Sequence, residues 1–333
     1  MLSGKILYID ETTGIIAKGH RLYQYDKTNN SFSFLTTVKN GAYTMLSSNK
    51  YLRRLSRSEI TGLYRFKDVY LIVAKKGLFV YYPTKNNYLK VFNVERGSKP
   101  LNVCFLPSGH VFFGEYFQNM EKQAVNIYGS EDNGQTWRVV YTFLDGIINH
   151  IHGVFFDKYT NRIWVTTGDR DNECIIGYTE DEFKTFIEVF RGGQEYRTCQ
   201  LFFYKDFIVF GTDSQYQQNV IKKFDRETLE ITELQEVQGS VIKGGQVGDV
   251  AFISTTVEPS KVNTDKYAHL WVTKDGLHWE ERYKAKKDWF PATLFQFGTF
   301  EFPQYYGIDK LERLYFSGRA LKGLDGKTTY IDL

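Results

Sequence analysis

Hydrophobic residues in this chain come in short runs of four to seven, separated by polar and turn-forming residues. Long stretches with the 3.6-residue period of an amphipathic helix are hard to find. Short apolar or aromatic runs bounded by turns are typical of β-strands, in which rings and branched side chains pack on a pleated surface. The pattern therefore predicts an all-β protein.

A unit of roughly 45 residues recurs along the chain, a period typical of solenoids and propellers. Each unit contains a strand of several apolar residues that is followed by glycine or another small residue and then by a polar one. The matching segments are 15–19, 71–75, 111–115, 164–169, 208–213, 251–256 and 314–319. Most units continue with a third strand, an Asp-containing turn and a fourth strand rich in aromatic residues.

Four strands per unit in radial repetition predict a single β-propeller domain that spans residues 1–333. The seven segments favour seven blades, and six is the alternative if residues 1–50 do not form a blade of their own. The last unit is one strand short, so we expect the N-terminal strand at residues 6–9 to complete it and close the ring. A pair of β-sandwiches fits less well, because sandwiches do not repeat with one period.

Residues 130–137 read Ser-Glu-Asp-Asn-Gly-Gln-Thr-Trp, a pattern suited to a tight turn between two strands. The Asp132 carboxylate can accept hydrogen bonds from N–H groups of its own turn. Gly134 can take the positive φ that a reversal needs, and Trp137 can bury its ring beneath the turn. We therefore predict a structural role for Asp132.

Degenerate copies of this turn occur at the same place in other units. Residues 179–186 keep the full spacing with phenylalanine in place of glycine and tryptophan, and residues 273–279 are one residue shorter. Weaker echoes start at Asp26 and Asp225. Graded copies at one position of a repeat support the propeller, and they extend the structural prediction to Asp181 and Asp275.

The pattern Ser/Thr-x-Asp-x-Gly-x-Thr/Ser-Trp is the Asp-box, and the chain resembles the sialidase-like Asp-box (BNR-repeat) β-propellers. The resemblance covers most of the chain as a repeat, while only residues 130–137 match the motif well. Sialidases of this family bind the substrate carboxylate with three arginines and use a tyrosine nucleophile paired with glutamate, together with an aspartate acid/base. If the resemblance holds, Arg57, Arg197 and Arg319 are the candidates for the three carboxylate-binding arginines, because of their positions in the repeat. The chain lacks the family's Arg-Ile-Pro-like motif.

The composition of the chain limits the kinds of partner and the cellular compartment that we expect for it. The chain has 42 basic and 39 acidic residues and a net charge of +3, which does not suggest a nucleic-acid footprint. No window approaches the roughly 18 apolar residues of a spanning helix, so no membrane partner is expected. The N-terminus has no apolar signal-peptide segment, so we expect a cytoplasmic protein, secreted only if a signal has been removed. The three cysteines show no CxxC spacing and are expected in the core.

One face of a propeller carries two sets of connections: those between the second and third strands of a blade, and those that lead into the first strand of each blade. The Asp-box turns lie on the opposite face. Loops on a rigid scaffold hold most functional sites. From these connections we predict as catalytic residues His150, His152, Tyr196, Arg197, Glu115 and Asp169. The predicted substrate-binding residues are Arg57, Tyr116, Arg170, Asp213, Glu258, Trp289, Gln296 and Arg319.

Aligning the units by their turns places Lys99 and Lys243 at positions equivalent to Arg57, His150 and Arg197. A ring of basic residues with interleaved carboxylates suits an anionic ligand such as an acidic sugar, because arginine matches a carboxylate in a bidentate fashion. The alternative interpretation is that these polar residues only cap strand ends in solvent.

His150 and His152 lie two residues apart, so both imidazoles should point to one face of a strand. They could form a metal pair with Asp169 or Glu173 as third ligand. They could instead act as a general acid or base beside a carboxylate, or form structural hydrogen bonds in the channel. We predict no cofactor, with a divalent metal at His150, His152 and Asp169 as the alternative.

Two functions fit these patterns. The first is a carbohydrate-active protein that acts on or binds an anionic glycan of the sialic or uronic acid type at the channel face, by glycoside hydrolysis or lyase-type elimination. Some propeller polysaccharide lyases use His, Tyr and Arg on an acidic sugar, and His150 or His152, Tyr196 and Arg197 fit those roles in residue type. The second is a non-catalytic propeller that binds a glycan or a protein partner, with Tyr116, Tyr196 and Trp289 as stacking platforms.

Overall fold

The computed structural model describes residues 1–333 as seven antiparallel sheets arranged as a seven-bladed β-propeller. In chain order, blade 1 contains Lys5–Ile9, Thr13–Lys18, Arg21–Asp26 and Ser31–Thr37, and blade 2 contains Gly62–Phe66, Val69–Ala74, Gly77–Tyr82 and Asn87–Asn93. Blade 3 contains Cys104–Phe105, Val111–Gly114, Val125–Ser130 and Arg138–Phe143. Blade 4 contains His150–Asp157, Arg162–Gly168, Ile175–Thr179 and Ile187–Arg191. Blade 5 contains Thr198–Phe203, Phe207–Thr212, Asn219–Asp225 and Ile231–Val237; blade 6 Ser240–Val247, Val250–Thr256, Tyr267–Thr273 and Glu280–Lys286; and blade 7 Thr299–Glu301, Arg313–Arg319, Lys327–Asp332 and Leu2–Ser3.

The seven repeated segments of the sequence lie in or overlap the second strands of the seven blades, which confirms the predicted propeller. The six-blade alternative is wrong, because residues 5–37 form a complete four-stranded blade. A short strand, Gln304–Tyr305, adds to this blade in parallel beside Lys5–Ile9.

An N-terminal strand closes the ring, as predicted, but it is Leu2–Ser3 and not residues 6–9. Leu2 pairs with Thr328 and Ser3 with Lys327 in the outermost position of blade 7. The chain then crosses at Gly4, whose φ of 111° suits glycine, and enters the inner strand of blade 1. The apolar run at 6–9 belongs inside blade 1 because all four of its residues are buried.

Adjacent blades pack face to face, and the small residue of the repeat is where they come closest. A side chain at Gly114 of blade 3 would place its Cβ 2.3 Å from Ile151 Cγ2 of blade 4. A Cβ at Gly211 of blade 5 would lie 2.8 Å from Val241 of blade 6. Glycine at the end of a second strand therefore lets the first strand of the next blade approach.

The Asp-box turns join third and fourth strands, as predicted. Asp132 Oδ1 accepts the N–H groups of Gln135 and Thr136 at 3.0 and 2.8 Å, and the Trp137 indole donates to the Gly134 carbonyl at 2.9 Å. Partial burial alone would raise the pKa of Asp132, but these donors lower it overall. The carboxylate is thus fully engaged within its own turn.

The degenerate box at 179–186 keeps this geometry at a conformational cost. Asp181 accepts the Thr185 N–H at 2.9 Å, while Phe183 takes the glycine position with a φ of 75°. A bulky residue in the left-handed region is strained. The Phe183 ring is buried against Phe112 of blade 3, and this packing offsets the strain.

The α-helices are confined to connections between blades: Ala42–Leu46 and Lys50–Ser56 join blades 1 and 2, and Ala292–Phe295 lies between blades 6 and 7. Single 3₁₀ turns occur within blade 2 at Pro83–Lys85, within blade 4 at Asp171–Glu173, and between blades 4 and 5 at Gln194–Tyr196. None of these helices has the length and apolar character needed to cross a bilayer.

The buried Arg54 ties two of these connections together. Its guanidinium donates to the Phe295 carbonyl at 3.0 and 2.6 Å and pairs with the Asp288 carboxylate. The Gln296 side chain returns a hydrogen bond to the Arg54 carbonyl at 2.9 Å. The segment before blade 2 and the segment before blade 7 are therefore one hydrogen-bonded unit.

Replacing Gly114 with alanine should lower the free energy of unfolding by about 1–3 kcal/mol, because the added methyl overlaps Ile151. Urea-induced unfolding measures the change. Combining Gly114→Ala with Ile151→Ala should cost less than the sum of the two single variants, because truncation of Ile151 removes the overlap. Strictly additive costs would contradict close packing at this point.

Candidate functional site

The channel face carries a cavity of about 330 Å³, lined by residues from most of the blades. Eight of the predicted site residues line it. They are Arg57, Tyr116, Asp169, Arg197, Asp213, Glu258, Gln296 and Arg319. Lys99, Lys243, Glu59 and Glu301 line it as well. A pocket of this size with convergent polar groups suits a small ligand.

His150 and His152 lie directly behind Asp169 at the wall of this cavity. Both imidazole Nε2 atoms are 3.4 Å from Asp169 Oδ1. Both rings are buried, at 5% and 2% exposure, whereas a third of the Asp169 side chain remains open to the cavity. The structure thus brings the three proposed metal ligands together.

Four predicted residues lie outside the cavity. Glu115 turns toward Arg96, with Nε–Oε1 at 3.0 Å, and accepts the Asn126 N–H. Tyr196 ends a 3₁₀ turn that directs its ring onto Phe190, with ring centroids 5.2 Å apart. Arg170 is exposed before the turn Asp171–Glu173, and the 82% exposed Trp289 stacks on Phe290.

One half of the cavity is positively charged. Glu301 pairs with Lys5 at 2.7 Å and with Arg319 at 3.3 Å. Burial alone would raise the pKa of Glu301, but the two cations hold it well below its usual range. Four cations, Lys5, Arg319, Lys99 and Lys243, thus share this half of the cavity with two carboxylates, Glu301 and Glu59.

Lys99 and Lys243 have no carboxylate partner in the structure. Burial, with repulsion from Lys5 and Arg319, lowers the pKa of Lys99 to about 7. Burial likewise lowers the pKa of Lys243 to about 8. The Nε atom of Arg319 is buried without a hydrogen-bond partner. This half therefore holds several unused donors.

The other half of the cavity is negatively charged. Arg197 Nη2 lies 2.9 Å from Asp169 Oδ1 and 3.6 Å from Asp213 Oδ2, so one guanidinium serves two carboxylates. Burial, together with repulsion from Asp213, raises the pKa of Glu258 to about 7. The cavity is thus bipolar, with a cationic wall facing an anionic one.

Lys5 and Glu301 escaped the sequence analysis because both lie within strands and not in connections. Each is a charged residue beside apolar neighbours at the edge of an inner strand. A charge in such a position is the signal that could have identified them, since lysine and glutamate are rarely buried unless paired.

Two tyrosines line the cavity, Tyr64 and Tyr116, and neither is hydrogen-bonded to a glutamate as a sialidase nucleophile would be. Tyr116 packs against His150 with ring centroids 4.3 Å apart, and burial raises its pKa above the ordinary value. A raised pKa weakens a phenolate nucleophile. Tyr116 also has no hydrogen bond to a glutamate, although Arg57, Arg197 and Arg319 do share the cavity.

Three larger hollows, of about 540, 570 and 400 Å³, lie elsewhere on the molecule. The first separates blade 1 from the helices after it, the second lies beside the Asp-box turns of blades 3 and 4, and the third is lined mainly by apolar residues of blades 3 to 5. None combines unpaired, partly buried lysines with buried carboxylates, so we place the candidate site in the channel cavity.

No family model and no curated protein sequence matches this chain. Solved structures are similar in fold. A chain of the crystal structure of a mitotic checkpoint complex is 8% identical, with 98% of this chain and 89% of that chain covered and a TM-score of 0.57. A chain of a nidogen/laminin complex is 11% identical, with 86% and 96% covered and a TM-score of 0.53.

A prolyl endopeptidase is 11% identical, with 99% of this chain and 50% of that chain covered and a TM-score of 0.57. At these identities the similarity concerns the fold alone. Three proteins of different kinds share the propeller, so the site residues themselves must indicate what this chain binds.

Acylation of lysines with acetic anhydride should reveal the lowered pKa values of the channel lysines. The rate at Lys99 should level off near pH 8, and that at Lys243 about one unit higher, because only the neutral amine reacts. Mass spectrometry of peptides from pH 6 to 10 gives these rates, with free N-acetyl-lysine in the same tube as reference. If the rates at Lys99 and Lys243 both follow that of N-acetyl-lysine across this pH range, the lowered pKa values are contradicted.

Proposed function

We propose that the channel cavity binds an acidic sugar, as the carboxylate-bearing unit of a sialic or uronic acid glycan. The observation that carries this proposal is the set of unused cationic donors at the cavity. Lys99 and Lys243 lack carboxylate partners, and Arg319 keeps an unbonded Nε. A ligand carboxylate would supply the missing acceptor through charge-assisted hydrogen bonds.

The bipolar character of the cavity favours a sugar acid over a simple anion. A carboxylate placed among Lys99, Lys243 and Arg319 leaves the rest of the ligand facing Asp213 and Glu258. Carboxylates accept hydrogen bonds well from hydroxyl groups, and a sugar ring carries several. A volume of about 330 Å³ lies at the small end of ligand pockets, which suits one or two sugar rings.

Lyase-type elimination is the second candidate, because groups with pKa values near neutrality adjoin the proposed carboxylate site. Lys99, with a pKa of about 7, is half neutral at that pH and could remove the proton next to a carboxylate held by Arg319. Glu258, also with a pKa of about 7, could return a proton to the leaving oxygen. Hydrolysis by a tyrosine nucleophile has less support, since Tyr116 lacks a carboxylate partner.

The Lys243→Gln variant should bind glucuronate, galacturonate or sialate about 10- to 100-fold more weakly than the wild type. The change keeps a hydrogen-bond donor but removes a charge-assisted contact worth about 1.5–3 kcal/mol. Titration calorimetry with each sugar acid measures the affinity, and an unsaturated product absorbing in the ultraviolet would reveal elimination. Lys310→Gln, at a side chain that is 85% exposed, is the matched control.

Equal affinity in Lys243→Gln and the wild type, or no binding of any sugar acid or short uronate oligomer, would reject the proposal. In the second case the exposed Trp289 surface makes a protein partner the next candidate, to be sought by pull-down.

The affinity for a sugar acid should fall at least about 10-fold between pH 6 and pH 9. Lys99 and Lys243 lose their protons as the pH rises through about 7 and about 8, and Glu258 gains a negative charge near pH 7, so each titration weakens anion binding. Calorimetry across this range tests the expectation. The uncharged methyl ester of the same sugar should show no such fall, and an equal pH profile for acid and ester would contradict it.

A further inference from the structure

We infer that His150, His152 and Asp169 form a binding site for one divalent transition-metal ion of the zinc class, with an open coordination position facing the channel cavity. The three ligand atoms stand at the corners of a triangle. His150 Nε2 and His152 Nε2 are 3.1 Å apart, and each is 3.4 Å from Asp169 Oδ1. Metal–ligand bonds of 2.0–2.1 Å in a tetrahedron give ligand separations of about 3.3–3.4 Å.

The hydrogen bonds behind the two rings determine which nitrogen carries the proton. His150 Nδ1 lies 2.9 Å from the Phe117 carbonyl oxygen, and His152 Nδ1 lies 3.1 Å from the Thr198 carbonyl oxygen. A carbonyl oxygen only accepts, so each Nδ1 donates its hydrogen in these contacts. The Asn149 amide nitrogen also approaches His150 Nδ1, but at 3.3 Å this contact is longer than the one to the Phe117 carbonyl, and we therefore assign His150 Nδ1 as the donor. Both Nε2 atoms of the neutral rings therefore present bare lone pairs toward each other and toward a carboxylate oxygen. Metal-bound histidines are oriented by this same kind of contact.

The two Nε2 atoms and Asp169 Oδ1 are three hydrogen-bond acceptors that point at one another, and a cation between them would satisfy all three. Arg197 Nη2 donates to Asp169 Oδ1 at 2.9 Å, and the Asn149 amide donates to Oδ2 at 2.8 Å, so the carboxylate has partners. The two Nε2 atoms have no donor except each other. In the absence of a metal, an additional proton on one ring would have to be shared between the two nitrogens or donated to Asp169 Oδ1.

The backbone is shaped to hold the second imidazole in place. His152 sits at a β-bulge, where the register with Arg162–Gly168 shifts between Ile151 and Gly153. Bulges re-aim side chains and often occur near functional sites. A Cβ at Gly168 would lie 2.5 Å from His152 Cε1, so glycine at this position makes room for the ring.

Charge and exposure favour a metal in the same place. The anionic half of the cavity includes Asp169, Asp213 and Glu258, with Arg197 as its one paired cation. The imidazoles are buried while Asp169 reaches the cavity, so a fourth ligand would enter from the cavity side. Two nitrogen donors and one oxygen donor suit zinc and its first-row neighbours better than Mg²⁺ or Ca²⁺.

A competing ligand set shares one histidine with this site. The Cys199 thiol donates to Asp213 Oδ2 at 3.4 Å, and both lie within reach of His152. All three residues of this set are buried, whereas Asp169 is open to the cavity, so only the set with Asp169 leaves room for a fourth ligand from the cavity side. We therefore assign the metal to the set with His150 and Asp169.

The test uses the full chain after dialysis against EDTA, titrated with Zn²⁺ by calorimetry and with Co²⁺ by visible absorption. We expect one equivalent of metal, the intense spectrum of four-coordinate cobalt, no thiolate charge-transfer band, and no comparable binding of Mg²⁺. His150→Ala and Asp169→Asn should each weaken binding by about 100-fold or more. His110→Ala, on the opposite face, is the matched control and should bind as the wild type does.

A second readout does not depend on the variants folding. In the wild-type protein, Zn²⁺ should shift the Nε2 resonances of two histidines in ¹⁵N spectra and leave their Nδ1 atoms protonated. The assignment is overturned if no stoichiometric metal binds, if both ligand variants bind as tightly as the wild type, or if cobalt shows a thiolate band. No sugar is needed in this experiment, so its outcome is independent of the proposed glycan binding.

Discussion

The seven blades form a stable ring only because the two ends of the chain meet in blade 7. Two residues, Leu2 and Ser3, supply the outer strand of blade 7, and the chain then passes through Gly4 into the inner strand of blade 1. The first and last blades meet through this crossing, and the side-chain hydroxyls of Ser317 and Thr328 both accept the Ile6 N–H at 3.0 Å. Each blade has a hydrophobic face on both sides, so an open ring would leave two of these faces uncovered.

The charged cavity is a consequence of the same closure. Lys5 belongs to blade 1, whereas Glu301 and Arg319 belong to blade 7, so the ion pairs among them cross the seam of the ring. A buried ion pair is costly to desolvate and contributes little net stability. It fits the proposed binding site better, because it gathers cations in the cavity and leaves Lys99 and Lys243 without an ion-pair partner. Part of the proposed site therefore lies at the junction of the two terminal blades.

The sequence was sufficient to predict the propeller, the blade count and the face that carries the cavity, since each rests on a repeated pattern. The direction of individual side chains was harder to predict. Tyr196 adjoins Arg197 in sequence, yet a 3₁₀ turn sends its ring into the space between blades. Glu115 follows a second strand as Asp169 and Asp213 do, but Arg96 draws it away from the channel. The direction of each of these side chains depends on a contact made in the folded protein, as does the pairing of Lys5 with Glu301. The pattern of residues along the chain does not show which of these contacts will form.

The hydrogen bonds around Arg54 have a consequence for the kinetics of ligand entry. Arg57 and Gln296 stand on the rim of the cavity, and the segments that carry them are joined through Arg54, Phe295 and Asp288. Neither segment can swing away without breaking a buried guanidinium–carboxylate pair. This side of the cavity mouth is thus held in place, and the proposed ligand would meet it already in its final shape. Association should then be governed by diffusion and by the field of the rim charges, so that its rate falls with ionic strength while showing no slow conformational phase.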